Sequence, residues 1–283
     1  IAGSGDGKPE LKKNSVIELD LSEITLDYNG TFEPSPFEAL LDQKKKASVI
    51  EVIDAIETAK TDKDIKGISI LKNNLSIGLA QSKAIRNKLE EFKKSGKFVY
   101  AYSDVLSQKD YYLNSVADQV YLNPVGELDF KGLASEVIYM KDLQEKSGVK
   151  FEVIRHGKYK SAVEPFLAQE MSPENREQVS VLLQSIWQTI VTDISSTRKI
   201  DVATLNTIAD SLGARTPKLA LATKLIDKIG YEDEYHDLIR TKLKVKKDDD
   251  YESISISDYA SLADSPSTNY TADNTIAVIY AQG

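Results

Sequence analysis

Cysteine is absent from the 283 residues, which excludes disulfides, thiolate nucleophiles and thiolate metal sites. Histidine is almost as scarce. With only His156 and His236, a Ser-His-Asp triad or a multi-histidine metal centre is hard to build, so a hydrolase on this scaffold must find its base elsewhere. Long apolar runs are missing too, and none approaches the ~18 residues that read as a membrane span. Basic residues are outnumbered, 36 Lys and Arg against 44 Asp and Glu. The resulting net charge of -8 argues against a nucleic-acid partner, which needs a basic field. It leaves a membrane-proximal role open, because one face can differ from the total.

What is present describes an ordinary globular chain, 41% hydrophobic and 28% charged, long enough for one large or two ordinary domains. Residues 1–14 are rich in Gly, Asp and Lys and read as a linker. Val16 to Leu21 alternates apolar and acidic residues, as a strand does. Ile50, Ile53, Ala55, Ile56 and Ala59 recur at helical spacing, and Ile68 to Leu71 is a short strand. A second helical stripe, Leu79 to Phe92, ends where Gly96 is placed to close it. Phe98 to Tyr102 and Gln119 to Leu122 are further strands, with a short helix over Tyr111 to Ala117 between them. A helix over Tyr139 to Ser147 and a strand over Phe151 to Arg155 complete the alternation. Strands and helices alternating at this pace predict parallel βαβ units, the α/β class.

Beyond Arg155 the pattern turns helical. Ser172-Pro173-Glu174 is a helix start, with an N-cap serine and proline at the first helical position. This helix is expected to reach about Arg198 and to bury Val179, Leu182, Leu183, Ile186, Trp187, Ile190 and Ile194. Helices near Val202 to Leu212, Lys218 to Thr223 and Glu232 to Lys244 follow. The domain is therefore expected over 15–245, followed by an exposed Ser/Asp/Thr-rich linker over 246–274. Residues 275–283 read as one more strand. Its opening, Asn274 to Ile279, echoes Asn14 to Leu19, as the first strand of a truncated second repeat would.

The stretch Gly157-Lys158-Tyr159-Lys160-Ser161-Ala162-Val163-Glu164-Pro165-Phe166 carries the chemistry. A lysine acts as a general base only if its ammonium gives up a proton near neutral pH. That requires lowering its pKa from ~10.4 towards ~7–8, about 4 kcal/mol of differential stabilisation. Apolar neighbours such as Ala162, Val163 and Phe166 could desolvate it. On these grounds alone an exposed structural lysine is the better reading of Lys160.

That block, followed by Met171-Ser172-Pro173, Arg176-Glu177 and a helix bearing Trp187, resembles the lysine region of the long bacterial signal peptide peptidases of the protease IV type. Supporting features are the Lys94-Ser95-Gly96-Lys97 turn, the pair Tyr111-Tyr112 and the Asn123-Pro124 strand end. The resemblance implies a crotonase-like (ClpP-like) repeated ββα spiral with a helical carboxy-terminal portion, this chain being the first half of a duplicated protein. It implies a Ser-Lys dyad that degrades cleaved signal peptides, with Lys160 as general base and a serine supplied by the second half of the same polypeptide. It also implies no cofactor or metal, a homo-oligomer, and action at the outer, periplasmic face of the bacterial inner membrane, with any anchor outside this chain.

Departures from the family pattern are as informative. A serine-bearing half shows Ser-Gly-Gly before the aromatic pair, the glycines permitting close backbone approach and oxyanion donation. Here that place reads Gln108-Lys109-Asp110, so the nucleophile position falls on Gln108. Ser107 is adjacent but out of register and reads as a loop or helix N-cap serine. Asn73 to Gly78 stands where Pro-Gly-Gly would form an oxyanion loop. The expectation is a chain that is inactive alone. His156 could tune Lys160 or be a plain loop residue. Ser161 could contact Lys160 or cap a helix. Tyr159 and Phe166 read as core or pocket wall, and Glu164, with Pro165, as a helix-end or turn residue. Asp248 to Asp250 lack the spacing of a calcium loop. Two other classes remain: a crotonase-type acyl-CoA enzyme, and a non-catalytic assembly or substrate-holding domain in which Lys160 is structural.

Overall fold

The computed structural model describes residues 9–25, 27, 46–154, 156–157, 160–262, 276 and 279. The chain divides into two compact units, one formed by residues 1–130 and 212–283, the other by 131–211. The single domain expected over 15–245 thus takes in all of the second unit and parts of the first, which is discontinuous in sequence.

Among the described residues, the first unit is built on a six-stranded, wholly parallel sheet in the order β5-β4-β3-β2-β1-β6. Its strands are β1 (Ser15–Asp20), β2 (Ile65–Lys72), β3 (Phe98–Leu106), β4 (Gln119–Leu128), β5 (Lys228–Ile229) and β6 (Ser253–Ser255). The sequence-predicted α/β class holds, as do the first four strands, with β2, β3 and β4 longer than the apolar runs suggested. Helices α1 (Val49–Ala59) and α2 (Leu79–Lys93) form the crossovers to β2 and β3. Ser48 and Glu51 start α1 with a reciprocal capping box, Glu51 N donating to Ser48 Oγ at 3.2 Å and Ser48 N to Glu51 Oε2 at 2.7 Å.

Period-two alternation sorts the strands into two faces. One face carries Val16, Ser69, Phe98, Tyr100, Tyr102 and Tyr121, and is covered by Tyr235 and Ile239 of α9 (Glu232–Leu243). The Tyr235 and Ser69 hydroxyls meet at 2.7 Å within that layer, which satisfies both polar groups in an apolar core. Ile17, Leu19, Ile68, Ile70, Val99 and Ala101 project to the other face, all fully buried or nearly so. Gly67 permits the aromatic face to close. A Cβ there would lie 2.5 Å from the Phe98 ring, which itself stacks on Tyr100 at 4.4 Å between centroids.

The expected linker over 246–274 needs correction. Residues 253–255 are β6, the edge strand among the described residues, paired with β1 at Val16, Ile17 and Glu18, and 256–262 form a helix, α10 (Ile256–Leu262). Ile254, Ile256 and Tyr259 are buried, and Tyr259 donates to Asp62 Oδ2 at 2.9 Å. One apolar residue between serines gives no strand signal. The strand exists because β1 offers an unpaired row of backbone groups. The strand expected over 275–283 lies outside the described residues, apart from Ile276 and Ile279, which are exposed and in no strand.

The second unit is mainly helical: α4 (Lys141–Ser147), α5 (Glu164–Leu167), α6 (Pro173–Arg198) and α7 (Val202–Asp210). (α3 is Gln108–Asn114, and α8 is Pro217–Ala222, both in the first unit.) Ser172 and Pro173 start α6 as expected, with Asn175 N donating to Ser172 Oγ at 3.2 Å. Its apolar stripe is only half used. Ile190, Val191 and Ile194 are buried near α7, and Trp187 Nε1 donates to Asn206 Oδ1 at 2.8 Å. Toward the amino end Leu182, expected inside, is 58% exposed. Residues 151–154 form no strand. Phe151 instead packs on Phe166 at 4.9 Å, its N–H donating to Gln144 Oε1 at 3.0 Å. Arg155 lies outside the described residues.

Candidate functional site

In the second unit the lysine block is a turn tied down on its carboxyl side. Gly157 has φ of +106°, a left-handed conformation costly for any residue with a side chain. Lys160 follows at the entry of a 3₁₀ turn over Ser161–Val163, which runs directly into α5. Pro165 O accepts from Met140 N at 2.7 Å, and Phe166 O from Gln144 Nε2 at 2.8 Å. Glu164, 5% exposed, is bound to Ser172 and Asn175 at the start of α6. Lys160 is exposed and lines a cleft of about 510 Å³ with Ile154, His156, Ser161, Ala162, Val163 and Gln178. The structure therefore brings Lys160, His156 and Ser161 to one cleft. Phe166 lies instead in a separate pocket with Phe151, and Tyr159 falls outside the described residues.

The first unit has its own cleft, about 620 Å³, at the carboxyl ends of β2 and β3, where parallel sheets commonly bind ligands. Ser107 and Asp110 line it. Ser107 is the N-cap of α3, as expected: its Oγ accepts from Asp110 N at 3.2 Å and donates to Asp110 Oδ2 at 2.5 Å. Both directions of that hydroxyl are used by one neighbour, and among the described residues no imidazole or amine is its hydrogen-bond partner. Gln108, at the nucleophile register, brings no hydroxyl.

Asp110 does more than complete a cap. Its Oδ1 accepts from the backbone N–H of Leu75 at 2.9 Å and of Asn74 at 3.2 Å. Asn74 holds φ of +92°, the conformation a glycine would take at this turn. Asn73 is pinned beside it, Nδ2 donating to Tyr102 O at 3.1 Å and Oδ1 accepting from Asn114 Nδ2 at 2.6 Å. Two convergent amides are what an oxyanion site needs. Here an internal carboxylate already occupies them. The sequence signal for Asp110 was the spacing Ser107-x-x-Asp110, a helix-start pattern, although its reach to the Asn74 loop was not visible.

Comparison with known proteins now bears on the lysine block directly. The model of peptidase family S49 matches residues 91–246, more than half of the chain and all of that block. The chain belongs to peptidase family S49. Protease 4 of Salmonella typhi is 33% identical over 296 aligned residues, covering 99% of this chain and 47% of that protein. Protease 4 of Haemophilus influenzae is 31% identical, over 84% of this chain and 40% of its own length. A chloroplastic serine protease SPPA of Arabidopsis thaliana is 32% identical over 67% of this chain and 28% of its own length. This S49 chain spans about half the length of the Protease 4 relatives it matches. Among its described residues no helix is long and apolar enough to cross a membrane.

Proposed function

We propose that this chain supplies the general base, Lys160, of a serine endopeptidase that degrades cleaved signal peptides, and that a second segment of the same polypeptide supplies the serine. The observation that carries the reading is the position of Lys160: inside the S49 match, on a tethered turn, at the wall of an open cleft. In the reaction the serine Oγ attacks the peptide carbonyl carbon while its proton passes to the Lys160 amine. The C–N bond of the tetrahedral intermediate then breaks, and the leaving amine takes that proton back. Water repeats the sequence on the acyl-enzyme. An amine can do this only out of bulk water, so the segment that brings the serine also covers the cleft.

The first-unit cleft supports a half that holds no nucleophile. Its amide pair is filled by Asp110, and its three serines are engaged locally: Ser107 caps a helix, Ser22 Oγ donates to Asp20 Oδ1 and Ser103 Oγ to Val105 O. The same arrangement speaks against an acyl-CoA enzyme, which needs those amides open. We read the parallel sheet as the crotonase-like (ClpP-like) core of a duplicated protein. Partners are favoured by the second unit, where Ile138, Leu143, Val149, Phe151, Ile154, Val181 and Leu182 are all exposed. Such apolar surface suits burial against the other half, against further copies in a homo-oligomer, or against a hydrophobic peptide. The expected setting is the periplasmic face of the bacterial inner membrane.

The test is turnover of a peptide ester. The chain alone should show none. Joined to its serine-bearing segment it should cleave, and Lys160→Ala should remove most of the activity with the fold intact. Activity abolished by Ser107→Ala but not by Lys160→Ala would overturn the assignment.

A further inference from the structure

A carboxylate is buried four residues after Lys160, and burying one is costly unless it has a specific set of partners. Glu164 has them. Oε1 accepts from Ser172 Oγ at 2.5 Å, and Oε2 accepts from Asn175 Nδ2 at 2.9 Å and from Ser172 N at 3.4 Å. These donors sit at the amino end of the 26-residue helix α6, where the helix dipole favours negative charge. The helix does not need Glu164 as its cap. Ser172 already performs that role, and Pro173 has no N–H to satisfy.

The carboxylate instead couples two segments. Glu164 N donates to Ser161 O, closing the 3₁₀ turn that begins at Lys160, and Glu164 O accepts from Ala168 N at 2.9 Å. The turn that projects the Lys160 side chain is therefore fastened through Glu164 to the longest helix of the unit. We propose that Glu164 is a positioning residue: its carboxylate, gripped by Ser172 and Asn175, fixes where the Lys160 amine stands when the serine attacks. This rests on the reading of Lys160 as the base. It adds that the geometry of the base is set from α6.

The experiment is steady-state kinetics on a peptide ester, using the complete polypeptide that carries both this chain and the serine, with Lys160→Ala, Glu164→Ala, Glu164→Gln and Asn175→Ala in parallel. A base displaced by an ångström costs rate rather than binding, so Glu164→Ala should lower kcat by roughly 10- to 100-fold. KM should stay within about two-fold, because the lost interaction acts only in the transition state. Glu164→Gln keeps an oxygen for Ser172 and should recover part of the rate. Asn175→Ala removes one contact and should lower kcat in the same sense, which preserves the test if Glu164→Ala fails to fold. Folded Glu164→Ala and Asn175→Ala variants with unchanged kcat, beside an inactive Lys160→Ala, would refute the positioning role alone. A fully active Lys160→Ala would refute the underlying reading instead.

Discussion

Replacing Asp110 by alanine should destabilise the first unit by an amount set by which donors can find water again. The carboxylate is 4% exposed and accepts from Asn74 N, Leu75 N and Ser107 Oγ. Asn74 is exposed, so its N–H rehydrates at little cost. Leu75 is buried, and its N–H is left without an acceptor, a penalty of about 1–3 kcal/mol. Loss of the charge-assisted bonds themselves brings the total to about 3 kcal/mol. At roughly 2–4 °C per kcal/mol for a chain of this size, the melting temperature should fall by about 6–12 °C. Asp110→Asn retains an oxygen for both amides and lets the Ser107 hydroxyl reverse its direction, so most of the stability should return. Thermal unfolding followed by circular dichroism, with the Leu75 amide resonance as a local probe, measures both. An Asp110→Ala protein that melts within about a degree of the parent would mean that the amide pair was never held by this carboxylate, and the account of the filled cleft would fall.

Gly67→Ala places a methyl against the Phe98 ring, which cannot retreat because it lies on Tyr100, and should cost about 1–3 kcal/mol in urea unfolding. Partial recovery is expected when Phe98→Leu is added, and an unaffected midpoint in the single variant would remove the steric argument. Alkaline pH should unfold the chain through its tyrosines. Burial, helped by the nearby Asp104, pushes Tyr102 up to about 12, and burial raises Tyr235, Tyr251 and Tyr259 further. Each group's folded-state value lies above the unfolded value near ~10, so its contribution is complete below that pH and is lost as pH rises above it. Tyrosinate absorbance should thus appear in two waves, the second together with loss of circular dichroism. A single wave with the fold intact would contradict this.

The core strands were legible because β2 and β3 are apolar runs buried on both faces, and such runs announce themselves. β5 and β6 were not. Lys228-Ile229 and Ser253-Ile254-Ser255 are too short to show a period, and partner strands decide their pairing. The start of α6 was readable in Ser172-Pro173 because capping is local chemistry. Which of its apolar residues would be buried was not, since periodicity names a face but not whether anything covers it, as Leu182 shows. The same division runs through the site. Lys160 stood out from its motif, and Ser107 from its place before a helix. Asp110 and Glu164 escaped because their partners are Asn74, Leu75 and Asn175, reached only after the chain has turned back on itself.

Because Val16 takes its outer neighbour from Ser253, this sheet cannot be completed during synthesis until residue 255 has emerged, well after the inserted helical unit. Until then one flank of β1 stays bare and open to pairing with a foreign strand. A truncation ending at residue 245 would make that interval permanent. It would discard the clasp formed by β6 and α10 and should yield an aggregating product, however intact the rest of the fold.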